Sequence, residues 1–114
     1  MDAELIPLIP CVTEYSAYLS GPMTVHGAKD FNYPAFHAAQ ERWEAKGFRV
    51  LNPARNFEGR TDLPRRAYMR RDFELVLEAT HIVLLEGWQH SSGGETELAM
   101  AMELELEVLY DHGE

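Results

Sequence analysis

The stretch HIVLLEGWQHSSGGETELA, residues 81–99, decides the fold class of this chain of 114 residues. Residues 81–85 form a nearly continuous apolar run, which is typical of a parallel strand buried on both faces. Small residues at positions 91–94 separate this run from a segment with helical apolar spacing. A strand, a glycine-rich turn and a helix in this order predict a strand-to-helix unit, with the turn near the carboxyl end of the strand.

The turn at residues 91–94 is suited to binding an anion. Backbone amides at a helix start have the positive end of the helix dipole behind them, so they can hold a phosphate group. Glu97 shares a helical stripe with Met100 and Ala101 that should face the core. We therefore expect the Glu97 carboxylate to point into a pocket. The alternative is an ordinary helix start with a serine cap, in which Glu95 is the first-turn acid.

The same alternation of strand and helix extends over residues 15–110. We predict strands over 15–20, 48–51, 81–85 and 106–110, a loop over 54–63, and helices between Asn32 and Gly47, over 64–79 and over 94–105. These elements predict an α/β fold, a single Rossmann-like three-layer domain in which helices flank a small parallel sheet. The domain would comprise residues 1–114, with 1–14 as an N-terminal extension.

Composition limits the class of protein. With 46% hydrophobic and 25% charged residues, the chain is typical of one globular domain. Cys11 is the only cysteine, which excludes an internal disulfide, and the five histidines show no ligand spacing. We expect neither a metal nor a cofactor. No apolar run reaches the roughly 18–20 residues of a membrane span, and the N-terminus lacks the positive start of a signal peptide, so we expect a cytoplasmic protein without a membrane partner.

The charge distribution restricts the partners. A net charge of -9 argues against binding nucleic acid or anionic lipid, because their phosphates would be repelled. Seven of the ten basic residues nevertheless lie between Arg49 and Arg71, while the last twenty residues contain seven acids and no Lys or Arg. A small anion could therefore meet a local positive site. For any single arginine the alternative is a solvated surface charge.

Two further groups should meet the 91–94 turn at the carboxyl edge of the sheet. The first strand ends with Tyr18, Ser20 and Gly21, which offer two hydroxyls and a close approach to the backbone. The alternative is a strand that ends in an ordinary turn, which would have a similar sequence. Tyr68 and Asp72 lie four residues apart on one face of the second predicted helix, where both could meet a sugar. The alternative for Asp72 is a surface ion pair with the adjacent arginines.

The order of these motifs resembles the nucleoside 2-deoxyribosyltransferase superfamily. The matching motifs are YLSGP at 18–22, Arg71-Asp72 before a strand, and Ser91-x-Gly93-x-x-x-Glu97-Leu98. The resemblance covers about residues 15–110. It is greatest for small phage and bacterial deoxyribosyltransferase-like proteins, which share NYPAF at 32–36, NP at 52–53 and YMRRD at 68–72. Similar enzymes are the transferases and the 2'-deoxynucleoside 5'-monophosphate N-glycosidases.

The resemblance implies a role for each matching residue. Glu97 matches the catalytic glutamate that attacks C1' of the sugar and forms a glycosyl ester. Asp72 matches an aspartate that binds the sugar and assists protonation of the base, and Tyr18 matches the tyrosine that orients the nucleophile. Gly21 would line the sugar pocket. Ser91 stands where the monophosphate hydrolases have a phosphate-binding serine and the transferases an aspartate, so we predict an N-glycosidase acting on a (deoxy)nucleoside 5'-monophosphate.

Further substrate-binding residues are expected at Ser20, Gly93, Trp88 and Arg71. Trp88 is the preferred residue for stacking on the base, with core packing as the alternative. Pro22 departs from the hydrolase pattern, which tends to have a hydroxyl there. The resemblance also implies a homodimer or higher homo-oligomer, in the host cytoplasm if phage-encoded. A nucleoside 2-deoxyribosyltransferase and a non-catalytic nucleotide-binding protein on the same fold remain open alternatives.

Overall fold

The computed structural model describes residues 15–23 and 32–113. Its strands are β1 (Ser16–Ser20), β2 (Arg49–Leu51), β3 (His81–Leu84) and β4 (Glu107–Tyr110). They form a parallel sheet in the order β2-β1-β3-β4. The helices are α1 (Tyr33–Ala45), α2 (Arg65–Glu78) and α3 (Ser92–Glu103), and short 3-10 segments follow β2 (Pro53–Gly59) and β3 (Trp88–His90). The predicted α/β fold is confirmed, while the predicted extension, residues 1–14, lies outside the described residues.

The largest departure from the predicted elements is the segment Pro53–Gly59, which forms 3-10 turns where the sequence indicated a loop. The Asn52 side chain starts it by accepting a hydrogen bond from the Ala54 amide at 2.9 Å. Pro53 also suits the first helical position, where its missing N–H costs nothing. The segment therefore has a defined conformation beside the carboxyl edge of the sheet.

The strand order places a crevice between β1 and β3. The chain leaves β1 to form β2 on one side and later returns to form β3 on the other, and this reversal is the topological switch point of an open sheet. Tyr18 on β1 is paired with Ile82 on β3, so the carboxyl ends of the two strands lie side by side. Connections leaving these ends diverge to opposite faces, which opens space for a ligand.

The alternation of side chains along β1 divides the core into two layers. Ala17 and Leu19 pack with Phe36 of α1 on one face of the sheet. Tyr18 lies on the other face, with Val76 of α2 and Ala101 of α3. Successive side chains of a strand point to opposite faces, so Ser20 projects toward the same side as Tyr18. Both hydroxyls therefore face the layer formed by α2 and α3.

The helices are short relative to a lipid bilayer. Within residues 15–23 and 32–113, no helix combines the length and the apolar character that a membrane crossing requires.

Candidate active site

A cavity of about 400 Å³ opens at the carboxyl ends of β1 and β3. The three groups predicted to meet there all contribute to its wall, through residues of the segments 18–23, 65–72 and 90–97. They come together because β1, α2 and the turn before α3 converge at the switch point of the sheet. The predicted convergence at this edge is confirmed.

Two hydroxyls of β1 hold the Glu97 carboxylate from below. The Tyr18 hydroxyl donates to Oε2 at 2.8 Å, and the Ser20 hydroxyl donates to Oε1 at 2.7 Å. Both side chains are fully buried, so water does not compete for these bonds. Burial, followed by the nearby Glu97 charge, raises the pKa of Tyr18 well above its usual value, so its hydroxyl stays protonated and acts as a donor.

Glu97 itself is buried in the second turn of α3, where it lines the cavity. Desolvation raises its pKa to about 7, and the hydrogen bonds from Ser20, Tyr18 and Asp72 oppose part of that rise. The side chain that heads the core-facing stripe is thus an ionisable acid, as the helical spacing indicated. Its carboxylate is oriented through both oxygens before any ligand arrives.

Asp72 approaches Glu97 from α2 and is also buried. Its pKa is raised to about 8, first by desolvation and then by the charge of Glu97. The Asn56 amide donates to Asp72 Oδ1 at 2.9 Å and opposes this rise. The alternative of a surface ion pair for Asp72 is therefore wrong. Arg71 instead forms an ion pair with Glu74 of the same helix, at 2.9 Å.

The two carboxyl groups form an acid pair. Both are buried, and the charge of Glu97 adds to the desolvation that raises the pKa of Asp72. Near neutral pH the pair favours one shared proton. The hydroxyls of Tyr18 and Ser20 donate to both oxygens of Glu97 and so favour its ionised form, which leaves Asp72 as the acid. An oriented carboxylate beside a protonated acid can act as a nucleophile and a proton donor on one substrate.

The start of α3 forms the polar rim of the cavity. The Ser91 hydroxyl accepts a hydrogen bond from the Gly94 amide at 3.0 Å, so the serine cap considered as an alternative is present. The same hydroxyl can still donate its proton outward, because an alcohol has one donor and two acceptor positions. Gly93 lines the cavity next to it, and its amide belongs to the first turn, which has no carbonyl partner within the helix.

Two glycines of the cavity wall differ in the room that their surroundings leave for a side chain. A Cβ on Gly21 would lie 2.9 Å from Leu85 Cβ, so packing between β1 and the end of β3 excludes a side chain there. A Cβ on Gly93 would meet its nearest neighbours, Met69 Sδ and Cε, at 3.6 and 3.7 Å, which is ordinary contact. The protein has room for a side chain at Gly93, and that space opens into the cavity.

The rest of the cavity wall is largely apolar. It includes Phe36 of α1, Met69 of α2 and Leu63, which precedes α2. Tyr68 also lines this wall, but its hydroxyl donates to the Arg60 carbonyl oxygen at 2.8 Å and so is already engaged in the loop. A mainly apolar wall with a few polar groups is the arrangement found in small-molecule sites.

Three residues expected to touch a ligand do not line the cavity. Trp88 packs on the core layer of α2 and α3 and borders a second cavity beside Tyr110, so core packing explains it. Ser20 lies beneath Glu97 and contacts the acid. Arg71 is displaced because its neighbour Asp72 occupies the inward face of α2, and residues adjacent on a helix point in different directions.

Sequence reasoning missed three polar residues at the site. Asn56 contacts Asp72 from the 3-10 segment, whereas Arg65 and His90 line the cavity at the starts of α2 and α3. The length of the 54–63 segment marked it as a functional loop, but nothing in its local pattern distinguished Asn56. Among the described residues, no cluster of three or more His, Cys, Asp or Glu side chains could hold a metal ion.

Comparison with curated proteins finds no match to this chain. A family model matches residues 15–110, which include every strand and helix of the described fold and all the residues of the acid pair and its donors. The chain therefore belongs to the family described as a domain of unknown function, DUF4406.

Proposed function

We propose that this protein is an N-glycosidase that hydrolyses the base–sugar bond of a (deoxy)nucleoside 5'-monophosphate. The observation that carries the proposal is the pair formed by Asp72 and Glu97, buried at the wall of a cavity of about 400 Å³. Cleavage of a glycosidic bond develops positive charge at C1', which a carboxylate close to that carbon stabilises. The leaving base needs a proton, which a neutral acid supplies.

The first step forms a covalent intermediate. A Glu97 carboxylate oxygen attacks C1' and forms an ester, while the bond between C1' and the base nitrogen breaks and its electron pair goes to the base. Asp72 gives its proton to the departing base. The hydroxyls of Tyr18 and Ser20 hold the carboxylate during the attack, at 2.8 and 2.7 Å from its two oxygens. Orientation of this kind lowers the entropic part of the barrier.

Water completes the reaction. It attacks C1' and displaces Glu97, while Asp72, now ionised, accepts a proton from the water. The products are the free base and the sugar 5-phosphate, and both carboxyl groups return to their original protonation states. The neighbouring charges of an ionised Asp72 and a re-formed Glu97 carboxylate favour that return of the proton.

Three features of the cavity rim support a 5'-phosphate on the substrate. The Ser91 hydroxyl retains a proton to donate, the Gly93 amide lies in the first turn of α3, and Arg65 brings a positive charge to the wall. Phosphate is favoured by helix N-termini and by hydroxyl and guanidinium donors. An aspartate at position 91, as in the similar transferases, would repel it.

The proposal is tested by measuring free-base release from nucleoside 5'-monophosphates and the corresponding nucleosides, in both deoxy and ribo forms. The parent protein is compared with Glu97→Gln, and Glu95→Gln is the matched control because Glu95 is an exposed acid in the same helix. We expect release from monophosphates by the parent and the control, with loss of release in Glu97→Gln.

The other outcomes separate the alternatives. Release that appears only when a second base is supplied would assign the protein to the deoxyribosyltransferases. Specific nucleotide binding without release from any substrate would support a non-catalytic nucleotide-binding protein. Either result contradicts the hydrolase proposal.

Gly93→Ala tests the phosphate site separately. We expect this variant to be more stable by about 0.5–1 kcal/mol, because alanine favours a helix over glycine, and the cavity has room for the methyl group. The same methyl group should obstruct a phosphate at the helix start, which would raise the Kd for a monophosphate about tenfold or more and leave that for a nucleoside unaffected. Isothermal titration and urea unfolding measure the two effects. Unchanged monophosphate affinity would place the phosphate elsewhere.

A further inference from the structure

Asn56 is the one neutral donor that the 3-10 segment after β2 brings to the acid pair in the described structure. It is buried, and its Nδ2 lies 2.9 Å from Asp72 Oδ1. The bond joins residues 16 positions apart and connects a loop to the wall of the cavity. Asn56 therefore contacts the acid pair but does not line the cavity that a substrate would fill.

The backbone around Asn56 is strained. Asn56 is extended, with φ -63° and ψ 143°, whereas Phe57 and Glu58 follow in the left-handed region at φ 53° and 57°. This region is unfavourable for residues other than glycine, and such residues persist only where the surrounding contacts outweigh the strain. The bend turns the Asn56 side chain inward and directs Phe57 outward.

Contacts on both sides of the bend hold it in place. The Phe57 ring packs edge-on against Tyr68, with 5.7 Å between ring centroids. The Arg60 carbonyl oxygen accepts a hydrogen bond from the Tyr68 hydroxyl at 2.8 Å and one from the Tyr33 hydroxyl at 3.3 Å. Strain that is maintained by several neighbouring contacts is characteristic of functional segments.

The bond from Asn56 distinguishes the two oxygens of Asp72. An amide N–H requires an acceptor, and a carboxyl oxygen that carries a proton is a poor one. With Oδ1 engaged as acceptor, the proton of Asp72 resides on Oδ2. The acid therefore has one defined donor atom.

We propose that Asn56 is a positioning residue, which occupies Oδ1 of Asp72 and so keeps the proton of the neutral acid on Oδ2, the oxygen from which the leaving base would be protonated. The part about the leaving base rests on the proposed N-glycosidase function, whereas the assignment of the proton concerns the acid pair alone.

Charged and titratable groups surround Asp72. Glu97 of α3, Tyr18 of β1, Tyr33 of α1 and Arg71 of α2 interact with it electrostatically, and Arg65 and His90 line the same cavity. The Glu97 charge raises the pKa of Asp72, whereas the Arg71 charge and the Asn56 hydrogen bond lower it. Loss of the Asn56 donor, with the charged groups unchanged, should therefore raise the pKa of Asp72 further.

The test is a titration of the side-chain carboxyl carbons by 13C NMR in the parent, in Asn56→Leu and in Asn56→Asp. Leucine has a similar volume without the donor, and aspartate keeps the shape of asparagine while it replaces the donor by an acid. We expect the Asp72 titration to move to higher pH by about one pH unit in Asn56→Leu and by more in Asn56→Asp.

Kinetics of base release provide the second measurement. In Asn56→Leu we expect kcat to fall about tenfold with KM within twofold, and the alkaline limb of the kcat profile to follow the NMR titration upward. Glu58→Gly is the matched control, because it relaxes a left-handed residue in the same bend and keeps the Asn56 amide. Its pH profile should equal that of the parent.

The outcomes separate the two proposals. An unchanged Asp72 titration in both Asn56 variants overturns the positioning role, even in an active enzyme. A titration that moves as expected, in a protein that releases no base from any substrate, supports the proton assignment and overturns the N-glycosidase function. A fall in kcat that is equal at all pH values, without a shift of the alkaline limb, also contradicts the positioning role.

Discussion

Glu97 and Asp111 are both buried carboxylates near the carboxyl ends of the strands, but the groups around them differ in charge. Glu97 is held by two neutral hydroxyls and lies beside a second acid. Asp111, directly after β4, accepts two hydrogen bonds from Arg42 at 2.9 and 3.0 Å, with a further bond from the Trp43 ring nitrogen. The pKa of Glu97 is raised by desolvation, whereas the hydrogen bonds at Asp111 outweigh its desolvation and lower the pKa.

Near neutral pH the ionised Asp111 carboxylate therefore stabilises the fold, whereas ionisation of Glu97 destabilises it. For Asp111 the lowered pKa means that the folded state favours the ionised form, so its contribution is present above its unfolded pKa and is lost on acidification. For Glu97 and Asp72 the raised pKa values mean that the folded state binds more protons than the unfolded state. Their contribution to stability therefore falls as pH rises from about 4 to 8. Reactive acids commonly carry this cost.

The largest expected effect is that of Glu97→Gln. Removal of the nucleophile should lower base release by roughly 10⁴-fold or more, while replacement of a buried acid by a neutral amide should raise the free energy of unfolding at pH 8 by about 1 kcal/mol. Urea unfolding and base release measure the two changes, with Glu95→Gln as the exposed control. If Glu97→Gln is inactive and also less stable than the parent, the claim that Glu97, unlike Asp111, destabilises the fold is contradicted.

Asp111→Asn should have the opposite effect to Glu97→Gln: stability should fall, and base release should be largely unchanged. Loss of the charge leaves Arg42 poorly compensated and weakens the link between α1 and the end of β4, which should cost about 2–3 kcal/mol of stability at pH 7. Base release by the folded fraction should stay within about threefold of the parent, because Asp111 does not line the cavity. Urea unfolding followed by tryptophan fluorescence measures the stability. Loss of activity without loss of stability would show that the two regions are coupled.

The pH dependence of stability in the parent tests the same contrast without a substitution. Between pH 5 and 8 the acid pair should lower the free energy of unfolding as pH rises, whereas acidification toward the lowered pKa of Asp111 should destabilise the protein from the other side. Thermal unfolding from pH 3 to 9 measures both limbs. Glu97→Gln should reduce the slope of the neutral limb alone, because Asp72 remains buried, and Asp111→Asn should reduce the slope of the acidic limb alone. A neutral limb unchanged in Glu97→Gln would contradict the assignment.

Local pattern was sufficient for much of the fold and for part of the site. The apolar run before the 91–94 turn predicted β3, and helical spacing placed Glu97 on the core-facing stripe, where it is buried. The same reasoning misplaced Trp88, because a position just after a strand does not determine whether a ring turns toward the cavity or the core. It also selected Arg71 among the arginines, whereas the structure brings Arg65 to the cavity wall.

The sequence by itself determined the order of strands and helices and the inward direction of Glu97, because hydrophobic periodicity is a property of neighbouring residues. Only the tertiary structure decided that Tyr18, 79 positions away in the chain, would hold that carboxylate, and that Asn56 would hold Asp72. It also determined that Asp111 lies beside the Arg42 cation, whereas Glu97 lies beside a second acid. Such pairings depend on how β1, α2 and α3 stack at the switch point of the sheet, and the resulting desolvation and mutual repulsion arise only when distant segments meet.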